Sequence, residues 1–179
     1  MEFTGFPKIA RLSREIVITE KIDGTNGQIF IGEDGEFLVG SRKQWITPQN
    51  DNHGFARWAT AHKDELMEGL GFGRHFGEWW GSGIQRGYGL PKGEKRFSLF
   101  NVKRWSDDSI RPECCHVVPI LYTGEFEIFN VGLCITQLKA LGSQAAPGFM
   151  KPEGIIIYHT AANMMFKKTI ENDEKGKGE

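Results

Sequence analysis

Apolar and polar positions change places in short runs along the first part of the chain. Ile16-Val17-Ile18, Gln28-Ile29-Phe30-Ile31 and Phe37-Leu38-Val39 are rich in β-branched and aromatic residues, which suit a pleated, half-buried surface. Asp23-Gly24 and Asp34-Gly35 separate the runs and carry the residue types that tight turns need. Residues 15–42 therefore predict strand, turn, strand, turn, strand. The period then lengthens. Phe55, Trp58, Ala59, His62, Leu66, Met67 and Leu70 recur at about three- and four-residue steps. They predict one helix over 55–70, stopped at Gly71. Val131, Cys134, Ile135, Leu138 and Leu141 form a second stripe, a helix within 125–141 ended by Gly142. Strands are predicted at 76–80, 97–105, 117–122, 153–158 and 163–170. Residues 45–53, 81–96 and 144–151 read as loops. Residues 1–14, with Phe3, Phe6, Ile9 and Leu12, read as a segment packed against the domain, with Lys8, Arg11 and Arg14 as a basic edge. From Glu171 the sequence is nearly all polar and Gly, a solvated tail.

Many strands with two inserted helices predict an α+β domain built on largely antiparallel sheets with flanking helices. The 179 residues fit one domain over 1–170 followed by the charged tail 171–179. No apolar run is long enough to span a bilayer, and no secretory signal is visible, so a cytoplasmic protein is expected. Cys114, Cys115 and Cys134 make no Cys-x-x-Cys site even with His116 beside them, and reduced thiols are expected. A formal net charge of −1 excludes a uniformly basic protein. It leaves room for a local basic groove.

The candidate chemistry centres on Lys21-Ile22-Asp23-Gly24, where Lys21 stands at a strand end. By themselves these residues also fit an exposed lysine ahead of a hairpin turn. The Gly-rich stretch 81–96 is not a P-loop, because no Lys-Ser/Thr pair closes it. It reads either as a surface connection or as a loop closing over nucleotide or nucleic acid with Arg86, Tyr88, Lys92, Lys95 and Arg96.

Five further elements follow Lys21-Ile22-Asp23-Gly24 in order: Ser41-Arg42-Lys43, Phe76-Gly77-Glu78-Trp79-Trp80-Gly81, Phe97-Ser98-Leu99-Phe100-Asn101-Val102, Pro152-Glu153-Gly154-Ile155-Ile156-Ile157 and Met165-Phe166-Lys167-Lys168-Thr169. This series resembles the motifs of the covalent nucleotidyltransferases, the superfamily of ATP-dependent DNA ligases, RNA ligases and mRNA capping enzymes. The Gly24-Thr25-Asn26 continuation and the Ser-Arg-Lys element are most similar to the nick-sealing RNA ligases. The resemblance implies the ATP-grasp-like adenylation domain of that superfamily. It implies a cycle in which Lys21 attacks the α-phosphate of ATP, forms a lysyl-N-AMP, passes AMP to a 5′-phosphate end, and lets a 3′-hydroxyl seal the strand.

The resemblance also assigns roles. Lys21 is the nucleophile. An amine attacks only when unprotonated, and nearby cations or desolvation favour that form. Arg42 and Lys167 hold phosphate oxygens. Glu153 and Glu78 offer hard oxygen to Mg²⁺ or Mn²⁺. Glu153 also orients Lys21, and Glu78 alternatively meets the ribose. Phe100 stacks on adenine. Glu20 lies at the adenine edge, Ile22 contacts the nucleotide, and Asn26 lies beside the phosphates or the acceptor nucleotide. The last motif departs from the family's pattern, which separates its two lysines by one residue. Here Lys167 and Lys168 are adjacent, and strand alternation sends them to opposite faces. Lys167 aligns best, with Lys168 as the alternative. Many relatives carry a further C-terminal module where this sequence has only the short charged tail; either the single domain suffices, a separate protein or domain replaces the module, or the sequence is a piece of a longer chain. The expected partners are RNA strand ends, or DNA ends. The competing readings are a GTP-using capping enzyme, a DNA ligase, and a binding module whose chemistry has decayed.

Overall fold

The computed structural model describes residues 1–174. Its elements run β1 (Glu15–Lys21), β2 (Thr25–Ile31), β3 (Phe37–Gly40), β4 (Trp45–Ile46), α1 (Phe55–Ala61), α2 (Lys63–Leu70), β5 (Gly73–Gly81), β6 (Lys95–Leu99), α3 (Val102–Trp105), β7 (Cys115–Val117), β8 (Ile120–Glu125), α4 (Ile128–Leu141), β9 (Gly154–His159) and β10 (Met164–Thr169). The strands form a four-stranded sheet, β10-β9-β1-β8, and a six-stranded sheet, β4-β3-β2-β5-β6-β7. All pairings are antiparallel except β6 with β7. This is the α+β architecture with antiparallel sheets that the sequence predicts.

Each sheet buries one face under its own helices. Ile29, Ile31, Val39, Ile46, Trp79, Phe97 and Leu99 meet Phe55, Ala56, Ala59, Leu66 and Leu70 of α1 and α2. Phe55 is fully buried, with ring centroids 4.9 Å from Phe97 and 5.4 Å from Trp79. Its ring lies so close to β2 that a Cβ on Gly27 would stand 2.7 Å from it. Ile16, Ile18, Ile155 and Ile157 pack against Val131, Cys134, Ile135 and Leu138 of α4. A third cluster, Ile22, Trp80, Tyr88, Val118 and Ala146, fills the seam between the sheets.

That seam corrects the predicted hairpin. β1 pairs with β8 and β9, whereas β2 pairs with β3 and β5. Ile22-Asp23-Gly24 therefore carries the chain from one sheet to the other, and Lys21 stands where they meet. Gly24 is needed there because β5 runs close beneath it. A Cβ on it would stand 2.5 Å from the Trp79 carbonyl oxygen.

Other expectations are also revised. The single helix over 55–70 is two, broken at His62 (φ −106°). The strand predicted over 97–105 ends at Leu99, where the Asn101 side chain caps α3 by accepting from the Arg104 N–H. The strand predicted over 117–122 is divided between the sheets, with β7 beside β6 and β8 beside β1. Pro119 at the division has no N–H to donate, and its carbonyl accepts from the Glu20 N–H. β4 is a two-residue strand inside the predicted 45–53 loop. Residues 1–14 do not pack as expected: Phe3, Phe6, Ile9 and Leu12 are exposed, and the Leu12 carbonyl meets the His159 ring at 2.8 Å. The tail turns back at its start, where Asp173 takes hydrogen bonds from Lys168 and Thr169. Its last residues, 175–179, lie outside the described part. No helix among the described residues is long and apolar enough to cross a membrane.

Candidate active site

Lys21 ends β1 opposite Gly154, the first residue of β9. Glu153, one residue earlier, is thereby brought to the lysine. Lys21 Nζ donates to Glu153 Oε2 at 2.5 Å. The two side chains are only 24% and 18% exposed, so the pair sits in a recess open on one side. Gly154 lets β10 press against this corner, since a Cβ there would collide with the Lys168 carbonyl oxygen.

Glu78 completes the carboxylate group. It lies on β5 opposite Asn26 of β2. Its Oε1 accepts from the Gly24 N–H at 3.0 Å and its Oε2 from Asn26 Nδ2 at 3.2 Å. Glu78 is buried, and burial pushes its carboxyl up to about 7, with smaller pushes from Glu153 and Asp23. Lys21 and the Gly24 N–H pull it back. Glu78 therefore changes charge close to neutrality, where a proton or a bound cation decides its state.

Register settles the placement of the adjacent lysines. Lys167 lies opposite Ile156, which lies opposite Thr19, while Thr169, Gly154 and Lys21 form the row two residues further along. Lys167 thus shares the face of Lys21, and Lys168 takes the other. Lys168 is paired with Asp173 at 2.9 Å. Alternation also turns Glu20 away from Lys21. Glu20 is 1% exposed. Its carboxylate accepts from Ser143 Oγ at 2.5 Å and from the N–H groups of Gln144 and Ala145 at 2.8 and 3.0 Å. It ties the loop after α4 to β1 instead of standing open to a base, a correction to its expected place at an adenine edge. The Ile22 side chain is likewise in the seam core and not along an open nucleotide site.

Phe100 follows β6 and is exposed, on the sheet face that also carries Glu78 and Ser98. Arg42 lies in the β3–β4 turn, beside a hollow lined by Thr25, Lys43, Asn50 and Asn52. No carboxylate lies within 4.0 Å of its guanidinium among the described residues.

The sequence reading missed how the 81–96 loop is used. Arg86 Nε meets Asp23 Oδ2 at 3.0 Å and its Nη1 donates to the Lys151 carbonyl at 3.1 Å. Tyr88 Oη accepts from the Asp23 N–H at 2.8 Å. Lys95 donates to the His53 carbonyl, and Arg96 pairs with Glu94. Of the five residues that could have closed over a ligand, Arg86 and Tyr88 instead brace the turn after Lys21, and Lys95 and Arg96 are taken up by these other partners. Gly87 and Gly89 with positive φ flank Tyr88. That pattern marked a tight fold, but the partner of Tyr88 lies 65 residues away.

A cation, an ion-paired carboxylate, a second carboxylate near neutrality and a free guanidinium suit chemistry on a phosphate. Two carboxylates also fit Mg²⁺ or Mn²⁺, which bind few protein carboxylates and complete their shells with substrate phosphates and water. No cluster of three His, Cys, Asp or Glu among the described residues forms a closed metal cage.

A search of curated protein sequences finds no significant match. Solved structures of the Naegleria gruberi RNA ligase share the fold. A variant with ATP and Mn is 20% identical with a TM-score of 0.60 over 87% of this chain and 48% of that one. A variant with AMP and Mn is 21% identical with a TM-score of 0.61 over 94% and 53%. The form with PPi is 19% identical with a TM-score of 0.59 over 88% and 50%. The chain spans about half the length of these proteins. The RNA ligase family model matches residues 14–170, which include Lys21, Glu78, Glu153 and Lys167. The chain belongs to the RNA ligase family.

Proposed function

We propose that this domain carries out the adenylation chemistry of an ATP-dependent polynucleotide ligase acting on RNA ends. The observation that carries the reading is the Lys21–Glu153 pair at 2.5 Å, set at the sheet seam with Lys167 on the same face. Glu153 holds the Lys21 amine in one direction and is placed to take its proton. The amine nitrogen attacks the α-phosphorus of ATP, a P–N bond forms, the bond to the β-phosphate oxygen breaks, and pyrophosphate leaves. Arg42 and Lys167 neutralise the phosphate oxygens. Phe100 stacks on the base, and Asn26 with Glu78 borders the ribose. A divalent cation held by Glu78 and Glu153 would offset charge on the phosphates. A 5′-phosphate end then displaces Lys21 and takes AMP, and a 3′-hydroxyl attacks that end and releases AMP.

The family model covers the domain, whereas the Naegleria chains are about twice as long. We assign the sealing steps to this domain acting with a further module, on the same polypeptide or on a separate protein. Three free cysteines among the described residues support a reducing, cytoplasmic setting. The test is incubation with α-labelled ATP or GTP, then a panel of nicked, splinted and single-stranded RNA and DNA ends. Label from ATP and sealing of RNA ends are expected. Label from GTP alone would point to capping chemistry, sealing of DNA ends alone would reassign the substrate, and no label from either nucleotide would overturn the reading.

A further inference from the structure

On the face of the six-stranded sheet that carries Glu78 and Phe100, the part beyond them is left unused by the mechanism. The sheet's core face is covered by α1 and α2. On the opposite face, near the seam, Trp80 and Tyr88 are buried. Farther out that face is open and carries rings. Phe100 bonds to Phe76 through its N–H, Phe76 lies opposite Gln28, Gln28 opposite Gly40, and Gly40 opposite Trp45. These residues form one row across β6, β5, β2, β3 and β4, about 19 Å long at the usual strand spacing. Phe76 is 51% and Trp45 42% exposed.

The row has a built character. A Cβ on Gly40 would stand 3.0 Å from Trp45 Cε3, so the missing side chain is what lets the indole lie over the sheet. Arg74 is held between two rings, 4.9 Å from the Phe30 centroid and 5.4 Å from Trp45. It also donates to Gln28 Oε1 at 3.3 Å. No carboxylate lies within 4.0 Å of the Arg74 guanidinium among the described residues. The acidic turn Glu33-Asp34-Gly35-Glu36 lies beyond Phe30, past the row.

We infer that this face is a base-stacking platform for a single-stranded stretch of the polynucleotide whose end is being sealed. The inference rests on the ligase reading for its choice of strand. Flat rings accept bases of any identity, and a free cation between them, here Arg74, holds a phosphate, the pairing that single-strand-binding surfaces use. The row is continuous with the recess, because Phe100 and Glu78 share its face. A strand lying on Phe76, Arg74 and Trp45 would therefore lead its end toward Lys21. An apolar protein partner would leave Arg74, set between two rings and without a carboxylate partner among the described residues, with no anion to meet.

The test measures affinity for a fluorescent oligouridylate without ATP, at several salt concentrations. Trp45→Ala and Phe76→Ala are each expected to weaken binding roughly 5- to 150-fold, the loss of one stacked base. Trp45→Phe keeps a ring and should retain most of the affinity. Arg74→Gln should flatten the plot of log affinity against log salt by about 0.7, one phosphate contact on a single strand. Adduct formation with ATP should be unchanged in the Trp45 and Arg74 variants. Ring-independent oligouridylate binding would overturn the platform, even with the adduct intact. Lower thermal stability without loss of affinity would also overturn it and assign the rings to packing. Ring-dependent binding without any adduct in the wild type would uphold the platform and sink the ligase reading. Should Trp45→Ala fail to fold, Phe76→Ala reads the same contact from a different strand.

Discussion

Glu78→Gln tests the electrostatics of the recess without using catalysis. In the folded protein burial raises the Glu78 carboxyl from an ordinary 4.5 to about 7. Between those values the native state keeps a proton that the unfolded chain gives up. Stability must therefore fall as pH rises through this window and level off above it. The difference of 2.5 units, at 1.36 kcal/mol each, makes the Glu78 contribution about 3 kcal/mol. Glutamine has no proton to lose. Its amide can serve both present partners, because the Asn26 amide can turn to offer its oxygen. Urea unfolding of both proteins at steps from pH 4.5 to 8 gives the comparison. The stability of the variant relative to wild type should rise by about 3 kcal/mol across that range. A difference that stays constant with pH would refute the argument, since it would mean that Glu78 titrates alike in folded and unfolded chains.

The other expected outcomes concern individual side chains. Lys167→Ala should abolish or severely slow adenylation and Lys168→Ala should have a small effect, read by single-turnover labelling; the reverse ranking would contradict the β9–β10 register. Glu153→Ala and Arg42→Ala should each slow labelling roughly 10²- to 10³-fold with native circular dichroism, and an unchanged rate would remove that residue from the site. Glu20→Ala should cost roughly 2–5 kcal/mol in urea unfolding, because it strands the Ser143 hydroxyl and the Gln144 and Ala145 N–H groups; a loss within 0.5 kcal/mol would contradict those contacts.

What could be read from the sequence follows the range of the forces involved. Strands β1, β2 and β3 are local patterns, and their existence was legible from alternation and from Asp-Gly turns. That β1 and β2 belong to different sheets was not, because pairing with β9 or β5 is decided by residues far along the chain. The opposite faces of Lys167 and Lys168 were legible from alternation alone. The same rule, applied to Glu20 beside Lys21, would have turned it toward α4; the family resemblance led the other way. Asp23 as an anchor for Arg86 and Tyr88 had no local signal, since its partners lie more than sixty residues off. The break at His62 carries no Gly or Pro. A helical stripe runs straight through it.

The central claim is that Lys21 is the nucleophile. The direct measurement is the intact mass of the protein after incubation with ATP and Mg²⁺, followed by mapping of the modified peptide. One AMP increment is expected on the peptide containing Lys21, lost in acid as a P–N bond is and absent in Lys21→Ala. An increment that persists in Lys21→Ala, or a wild-type protein that gains no mass, would contradict it.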